Sequence, residues 1–499
     1  MSVPAVLAID QGTTGSTCLV VGQDGRILGK AYSEFTQFFP KPGWVEHDAL
    51  EIWEVTRRVA REAIAEATEA SVRAVGITNQ RETLVLWDRA TLEPVHRAIV
   101  WQDRRTADAC RRLKEAGHEA EVRARTGLVL DPYFTGTKVA WLLRERPELR
   151  ARAEAGELAL GTVDSWLIAR LTNGASHVTD PTNASRTLFY NLHTADWDPW
   201  LLDLLEVPAA MLPQIVPSAG EFGVTAGEHL GISVPIAGVA GDQQAALFGQ
   251  GCWSAGLAKN TYGTGAFLLL HTGAVPVPSK HGLLTTAACD EAGRLAYALE
   301  GSVFIAGAAV QWLRDGLGLL ASATESARMA ASLEDNGGVS FVPAFVGLGA
   351  PHWEPEARGA MFGLTRGTTR EHLVRAALEA MAFGTAEVLE AMEADSGVQT
   401  TELRVDGGAA LNDWLMGFQA DLIDAPVRRP AIVETTALGA AGLAGLSSGV
   451  WPSAEAFLAC QGEAARFEPA STPTDRARLS AQWRRAVRAT IGWARDDEG

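Results

Sequence analysis

The chain has 499 residues, too long for one hydrophobic core, so its length points to about two to four domains. Its 47% apolar and 21% charged residues are those of a globular protein, and no apolar run reaches the roughly 20 residues of a spanning helix. A net charge of −17 with no Lys/Arg-rich block argues against nucleic acid as a main partner, and an anionic ligand would need local cations or a metal.

The first elements read as a hairpin. Val6 to Ile9 is apolar, D-Q-G-T-T follows at 10–14, and a second apolar run begins at Cys18. Gln23 to Arg26 (Q-D-G-R) is a second turn of the Asp-Gly kind, and Arg26 to Phe35 continues the meander. Asp48, with Glu51 three residues on, predicts a capped helix through Trp53, Ala60, Ile64 and Ala67. Val72 to Ile77 then reads as a buried strand, followed by Arg81-Glu82. Ligands of open α/β sheets gather at the carboxyl ends of strands. An Arg and a Glu there suit a polyol, the guanidinium donating to hydroxyl oxygens and the carboxylate accepting hydroxyl protons. A surface ion pair is the alternative.

Asp242 follows the strand P-I-A-G-V-A-G and suits a general base, since a carboxylate ionised at neutral pH can accept a hydroxyl proton. The alternative is a helix cap. Ala240 to Gly251 and Thr436 to Leu446 read as helices with small faces that can pack closely and slide, as shear closure of a cleft requires.

After residue 250 the opening pattern returns. Leu257 to Thr261 is extended, Y-G-T-G turns at 262–265, Ala266 to His271 is extended, and D-E-A-G at 290–293 precedes the strand Arg294 to Leu299. A helix over Arg370 to Met392 and a strand ending in V-D-G-G (405–408) complete the repeat. Two similar α/β lobes are expected, divided near Gly251 into 1–250 and 251–499.

No G-x-x-x-x-G-K-[ST] occurs, and no G-x-G-x-x-G opens a helix after the first strand, so neither a P-loop nor a dinucleotide-binding Rossmann site is predicted. Three turns each follow an apolar strand instead: D-Q-G-T-T, Y-G-T-G and D-G-G-A at Asp406. Glycine admits an anion close to the backbone and Thr adds hydroxyl donors, which suggests a nucleotide held between lobes. An acidic residue there calls for a divalent cation, making Asp10 a candidate Mg²⁺ partner. The five cysteines are far apart without C-x-x-C, which predicts reduced thiols in a cytosol, and the N-terminus reads as having no secretory leader.

These residues and their neighbours resemble the FGGY carbohydrate kinases. The likeness is carried by D-Q-G-T-T (10–14), K-P-G-W-V-E-H-D (41–48), G-I-T-N-Q-R-E-T (76–83), I-V-W-Q-D-R-R-T (99–106), D-P-Y-F-T-G-T-K (131–138), T-N-A-S-R-T (182–187), A-G-D-Q-Q-A-A-L-F-G-Q (240–250), A-K-N-T-Y-G-T-G (258–265), R-G-A-M-F-G-L-T-R-G (358–367) and R-V-D-G-G-A (404–409). Tyr133 to Glu145 fits the first signature of the family, and Gly347 to Thr365 resembles the second.

The resemblance implies two actin-like (ribonuclease H-like) lobes, each a mixed sheet flanked by helices, around an interdomain cleft. It is nearest to those members that phosphorylate glycerol. It implies transfer of the ATP γ-phosphate to the 3-hydroxyl of glycerol, the first step of glycerol utilisation, in a cytoplasmic homodimer or homotetramer. Arg81, Glu82, Tyr133 and Asp242 would bind the glycerol hydroxyls with Gln243 beside them, and Trp101 and Phe267 would pack on its carbons. Asp242 would be the catalytic base. Thr13, Thr14 and Thr264 would contact the phosphates, with Gly15 in the same nucleotide turn. Gly307, Gln311, Gly408 and Asn412 would line the nucleoside site, with Mg²⁺ near Asp10 and Asp242. A pentulose or longer polyol as substrate, or a non-catalytic nucleotide-binding homologue, are the alternatives.

Two departures stand out. Family members read D-Q-G-T-T-S-S-R, whereas Gly15 and Thr17 replace the first Ser and the Arg here. Thr187 to Ala258 holds no Lys or Arg, so inhibition by fructose 1,6-bisphosphate in this region is expected to be absent. Thr225 to Ile232 contains His229 but does not resemble the phosphorylated-His loop of some members, so activation by that route is not expected either.

Overall fold

The computed structural model describes residues 2–462 and 465–495. The opening meander forms as β1 (Val3–Gln11), β2 (Gly15–Gly22) and β3 (Ile27–Glu34), each antiparallel to the next. Gly25, at φ +82°, lets the second turn close where a Cβ would be strained.

Helix α1 (Ala49–Glu66) starts at Asp48, whose carboxylate accepts from the amides of Leu50 and Glu51. The expected capping box does not form: the Glu51 carboxylate turns to the amide and hydroxyl of Thr36. Ile52, Val55, Val59, Ala60 and Ala63 recur at helical spacing, and the face they form is buried against β2 and β3.

Strand β4 (Ala70–Asn79) lies parallel to β1. Residues 80–218 intervene before the chain returns to the sheet; part of them, including helix α2 (Thr135–Glu145), builds a separate hydrophobic cluster, while Val85, Trp87, Val163 and Trp166 join the core of the first sheet. Strands β5 (Ala219–Val224) and β6 (Pro235–Gly241) complete the order β5-β6-β4-β1-β2-β3.

The second sheet repeats this plan. Its strands are β7 (Leu257–Tyr262), β8 (Ala266–Gly273), β9 (Leu284–Cys289), β10 (Leu295–Val303), β11 (Glu402–Gly407), β12 (Val427–Arg429) and β13 (Ala465–Phe467), in the order β9-β10-β8-β7-β11-β12-β13. From β10 to β13 the strand directions match those from β3 to β5: antiparallel, antiparallel, parallel, parallel, antiparallel. Strand β9 is an addition at the outer edge. The long helix α3 (Arg370–Ser396), unbroken where the sequence predicts one, packs on this sheet.

The two small-faced helices are α4 (Asp242–Gly249) and α5 (Thr435–Ser447), and they pack against each other. Helix α5 belongs to the later half of the chain but lies on β1, β4 and β6 of the first sheet. A methyl at Gly439 would overlap the Ala245 carbonyl, and one at Gly76 the Ala440 carbonyl, so glycine is required for this approach. All five cysteines are free, and four are buried.

Candidate active site

Asp10, Arg81-Glu82 and Asp242 lie at or just beyond the carboxyl ends of β1, β4 and β6, three adjacent parallel strands. The register pairs Asp10 with Thr78 and Gly241 with Asn79, so one edge of the sheet presents all of them.

Arg81 and Glu82 are 3% and 1% exposed, which rules out the surface ion pair. They belong to a closed ring of charges. Arg81 Nη1 and Nη2 donate to the two oxygens of Glu300 at 2.6 and 3.1 Å. Arg186 Nε donates to Glu82 at 2.6 Å and its Nη2 to Glu300 at 3.0 Å. Arg81 Nε stands 3.1 Å from Asp242 Oδ1. Burial pushes the Glu82 carboxyl up, against the pull of Arg186 and Arg81. Burial acts on Glu300 in the same sense, but its two arginines hold it down at about 2.

Asp242 opens helix α4, and its side chain keeps 34% exposure, the one acid around Arg81 with an open face. Gln243 follows it, held through its side-chain oxygen by the ammonium of Lys259. Lys259 is fully buried on β7, and burial lowers its pKa to about 8.

Two of the aromatic residues, Trp101 and Tyr133, come from the segment 80–218. Trp101 and Tyr133 meet edge to face, their centroids 5.5 Å apart, and the Arg186 guanidinium lies over the Tyr133 ring at 5.7 Å. Burial pushes the Tyr133 hydroxyl pKa up. Buried Lys138 of α2 donates to the Tyr133 carbonyl at 2.9 Å and the Glu82 carbonyl at 3.4 Å, steadying Glu82 at φ +61°. Phe267 stands half-buried on β8, opposite Ser302 of β10.

The first turn closes with the Gly12 amide on the Gly15 carbonyl at 2.9 Å. Gln80 and Gln37 brace it, donating to the carbonyls of Gly12 and Thr13 at 3.2 and 3.0 Å. Thr14 is exposed, and Gly15 lies beneath the Tyr32 ring, where a Cβ would clash. Thr17, at the departure from the family pattern, is the cross-strand partner of Asp10.

In the second lobe Thr264 is exposed, while the carbonyls of Gly263 and Thr264 take the amides of Ala306, Gly307 and Ala308. The turn is thereby tied to the start of helix α6 (Gly307–Asp315), which carries exposed Gln311. Gly407 pairs with Tyr262, which sets Gly408 beside this turn. Asn412 caps helix α7 (Asp413–Ile423), accepting from the Leu415 amide at 3.0 Å. Asp406 is structural here: it accepts from Gln250 at 3.0 Å and from Thr435, joining the ends of α4 and α5.

The donor set fits a hard divalent cation that keeps most of its water. Burial, with the Asp242 charge beside it, raises the Asp10 carboxyl to about 7, and no hydrogen bond offsets this. Two neighbouring carboxylates can share a cation between them. Among the described residues there is no cluster of three or more metal ligands.

Two lobes of duplicated topology, each with a Gly/Thr turn and the first with Asp10 and Asp242 along one strand edge, place the chain in the actin-like class. The chain matches the FGGY family of carbohydrate kinases, its N-terminal domain over residues 5–249 and its C-terminal domain over 258–448, and it belongs to that family. It is 58% identical over 499 residues to a glycerol kinase of Alkalilimnicola ehrlichii, covering 99% of this chain and 100% of that one. It is 57% identical over 491 residues to a glycerol kinase of Dechloromonas aromatica, covering 98% of both. The crystal structure of Plasmodium falciparum glycerol kinase with ADP superimposes at a TM-score of 0.94, with 35% identity over 98% of each chain.

The motif reading gave no role to four buried ionic groups around the site: Lys138, Arg186, Lys259 and Glu300. The available signal was a lone charge in an apolar stretch, as in Y-A-L-E-G at 297–301.

Proposed function

We propose that the chain transfers the γ-phosphate of ATP to the 3-hydroxyl of glycerol, giving sn-glycerol 3-phosphate and ADP. Asp242 carries the reading. It has an open face, is oriented by Arg81, and sits at the strand edge shared with Asp10. Its carboxylate takes the proton of the attacking hydroxyl as the new O–P bond forms and the bond to the leaving ADP oxygen breaks. Arg81, Glu82 and Tyr133, with Gln243 beside them, bind the hydroxyls, and Trp101 and Phe267 enclose the carbon chain. Thr13, Thr14, Gly15 and Thr264 bind the phosphates across the cleft, and Gly307, Gln311, Gly408 and Asn412 line the nucleoside site. Mg²⁺, held by Asp10 and Asp242, would neutralise charge on the phosphates.

Coupled ADP release with glycerol, dihydroxyacetone, erythritol and D-xylulose tests the substrate, with glycerol expected to give the highest kcat/KM. Turnover faster with D-xylulose would replace this reading by a pentulose kinase. Asp242→Asn should lower kcat by roughly a thousandfold, near the middle of the range for general-base removal, while ATP still binds. Unchanged turnover would remove Asp242 as the base.

A further inference from the structure

The geometry points to Glu300 and Arg186 as positioning residues that hold the heads of Arg81 and Glu82 in place across the boundary between the lobes. This rests on the reading of Arg81 and Glu82 as glycerol ligands.

Arg81, Glu82 and Arg186 belong to the first lobe, whereas Glu300 stands on β10 of the second sheet. Glu300 lies between Leu299 and Gly301 and is 4% exposed. A carboxylate in such a strand is costly unless paired, and its ion-pair partners among the described residues, Arg81 and Arg186, both come from the other lobe. It grips Arg81 fork to fork, an arrangement that fixes the plane of the guanidinium as well as its position.

The rest of Arg81 is equally constrained. Nη1 also donates to Gln244 at 3.2 Å. A Cβ on Gly241 would lie 2.7 Å from Arg81 Cγ, so the stem runs directly against the backbone that leads into Asp242. Arg186, fully buried, spans from Glu82 to Glu300 with its Nε and Nη2. The four charges sum to zero, so the ring is electrically closed, and each head is oriented by its neighbours. The same boundary is stitched beside the ring by Ser185 to Thr286 at 3.1 Å and Gln244 to Thr286 at 3.0 Å. The second lobe therefore sets where the first lobe's polyol ligands stand.

The experiment measures kcat and separate KM values for glycerol and ATP in Glu300→Gln, Arg186→Lys and Arg81→Lys. Arg186→Lys keeps the charge balance and loses the planar guanidinium that reaches both carboxylates, so it decides the matter if Glu300→Gln fails to fold. Glu300→Gln and Arg186→Lys are expected to raise glycerol KM about tenfold or more while ATP KM stays within about twofold. Asp at position 300 (Glu300→Asp), which keeps the charge, should recover part of the loss. If Arg81→Lys raises glycerol KM but the other variants leave it unchanged, or move both KM values together, the ring is structural only and the inference is wrong. If Arg81→Lys itself leaves glycerol KM unchanged, the underlying assignment of Arg81 fails instead.

Discussion

The indole N–H of Trp101 donates to the Thr13 hydroxyl at 2.9 Å, tying the aromatic wall to the first Gly/Thr turn. Trp101 also packs edge to face on Tyr133, so one side chain touches both halves of the proposed reaction. Trp101→Phe keeps the ring and removes the donor. A neutral hydrogen bond contributes about 1 kcal/mol, equivalent to about fivefold in affinity. ATP KM should rise by about that factor in steady-state kinetics. An unchanged ATP KM would mean that Thr13 needs no support from this wall.

Thr17 stands opposite Asp10 on the neighbouring strand, and cross-strand partners project to the same face. An Arg at this position would place a cation beside the turn where Thr13 and Thr14 are proposed to meet phosphate. Thr17→Arg is expected to raise kcat/KM for ATP by about threefold to tenfold, the range of a charge-assisted hydrogen bond in partly exposed surroundings. A fall in kcat/KM would show that the new guanidinium pairs with Asp10 and blocks the cation.

His47 is buried behind the same turn, its Nε2 2.7 Å from Gln37 Oε1, and Gln37 donates to the Thr13 carbonyl. Burial lowers its pKa from 6.5 to about 4. A base with a depressed folded pKa contributes stability that is complete above the unfolded value and lost as pH falls through the folded one. The window therefore runs from pH 6.5 down to 4, and the full effect is about 3 kcal/mol. Urea unfolding of His47→Asn across that window should show a shallower acid limb than the parent. An identical slope would show that His47 does not titrate with unfolding.

Gly439 and Gly417 are both helical glycines but sit in opposite surroundings. A Cβ at Gly439 would overlap the Ala245 backbone, whereas one at Gly417 meets nothing within 4 Å. Gly439→Ala should cost about 3 kcal/mol by overpacking, and Gly417→Ala should stabilise by about 0.5–1 kcal/mol through helix propensity. Thermal denaturation of the pair separates the two effects, and equal shifts would contradict the packing of α5 on α4.

Patterns confined to neighbouring residues were legible in the sequence. Apolar runs with turns at 23–26 and 290–293 marked both meanders, and Asp48 marked the start of α1, because strand periodicity, turn chemistry and N-capping are set within a few residues. Asp10, Arg81, Glu82 and Asp242 could be singled out because each closely follows an apolar strand, and a strand's carboxyl end is itself a local feature. Strand β9 went unread, since an edge strand needs a neighbour to declare itself. Glu51 met Thr36 rather than its own helix end, a choice made by a loop packed alongside.

What required the tertiary structure was the pairing of charges far apart in the chain. Arg81 and Glu300 are 219 residues apart, and no spacing rule relates a residue after one strand to a residue inside another. The small faces of α4 and α5 were visible as composition, but that α5 crosses back onto the first sheet follows only from where glycines at 76, 238 and 439 let backbones touch. The sequence determined the kinds of groups available and the turns that present them. Folding two lobes against each other decided which groups share one site, because burial makes each charge of the ring depend on a partner that only the packed chain can supply.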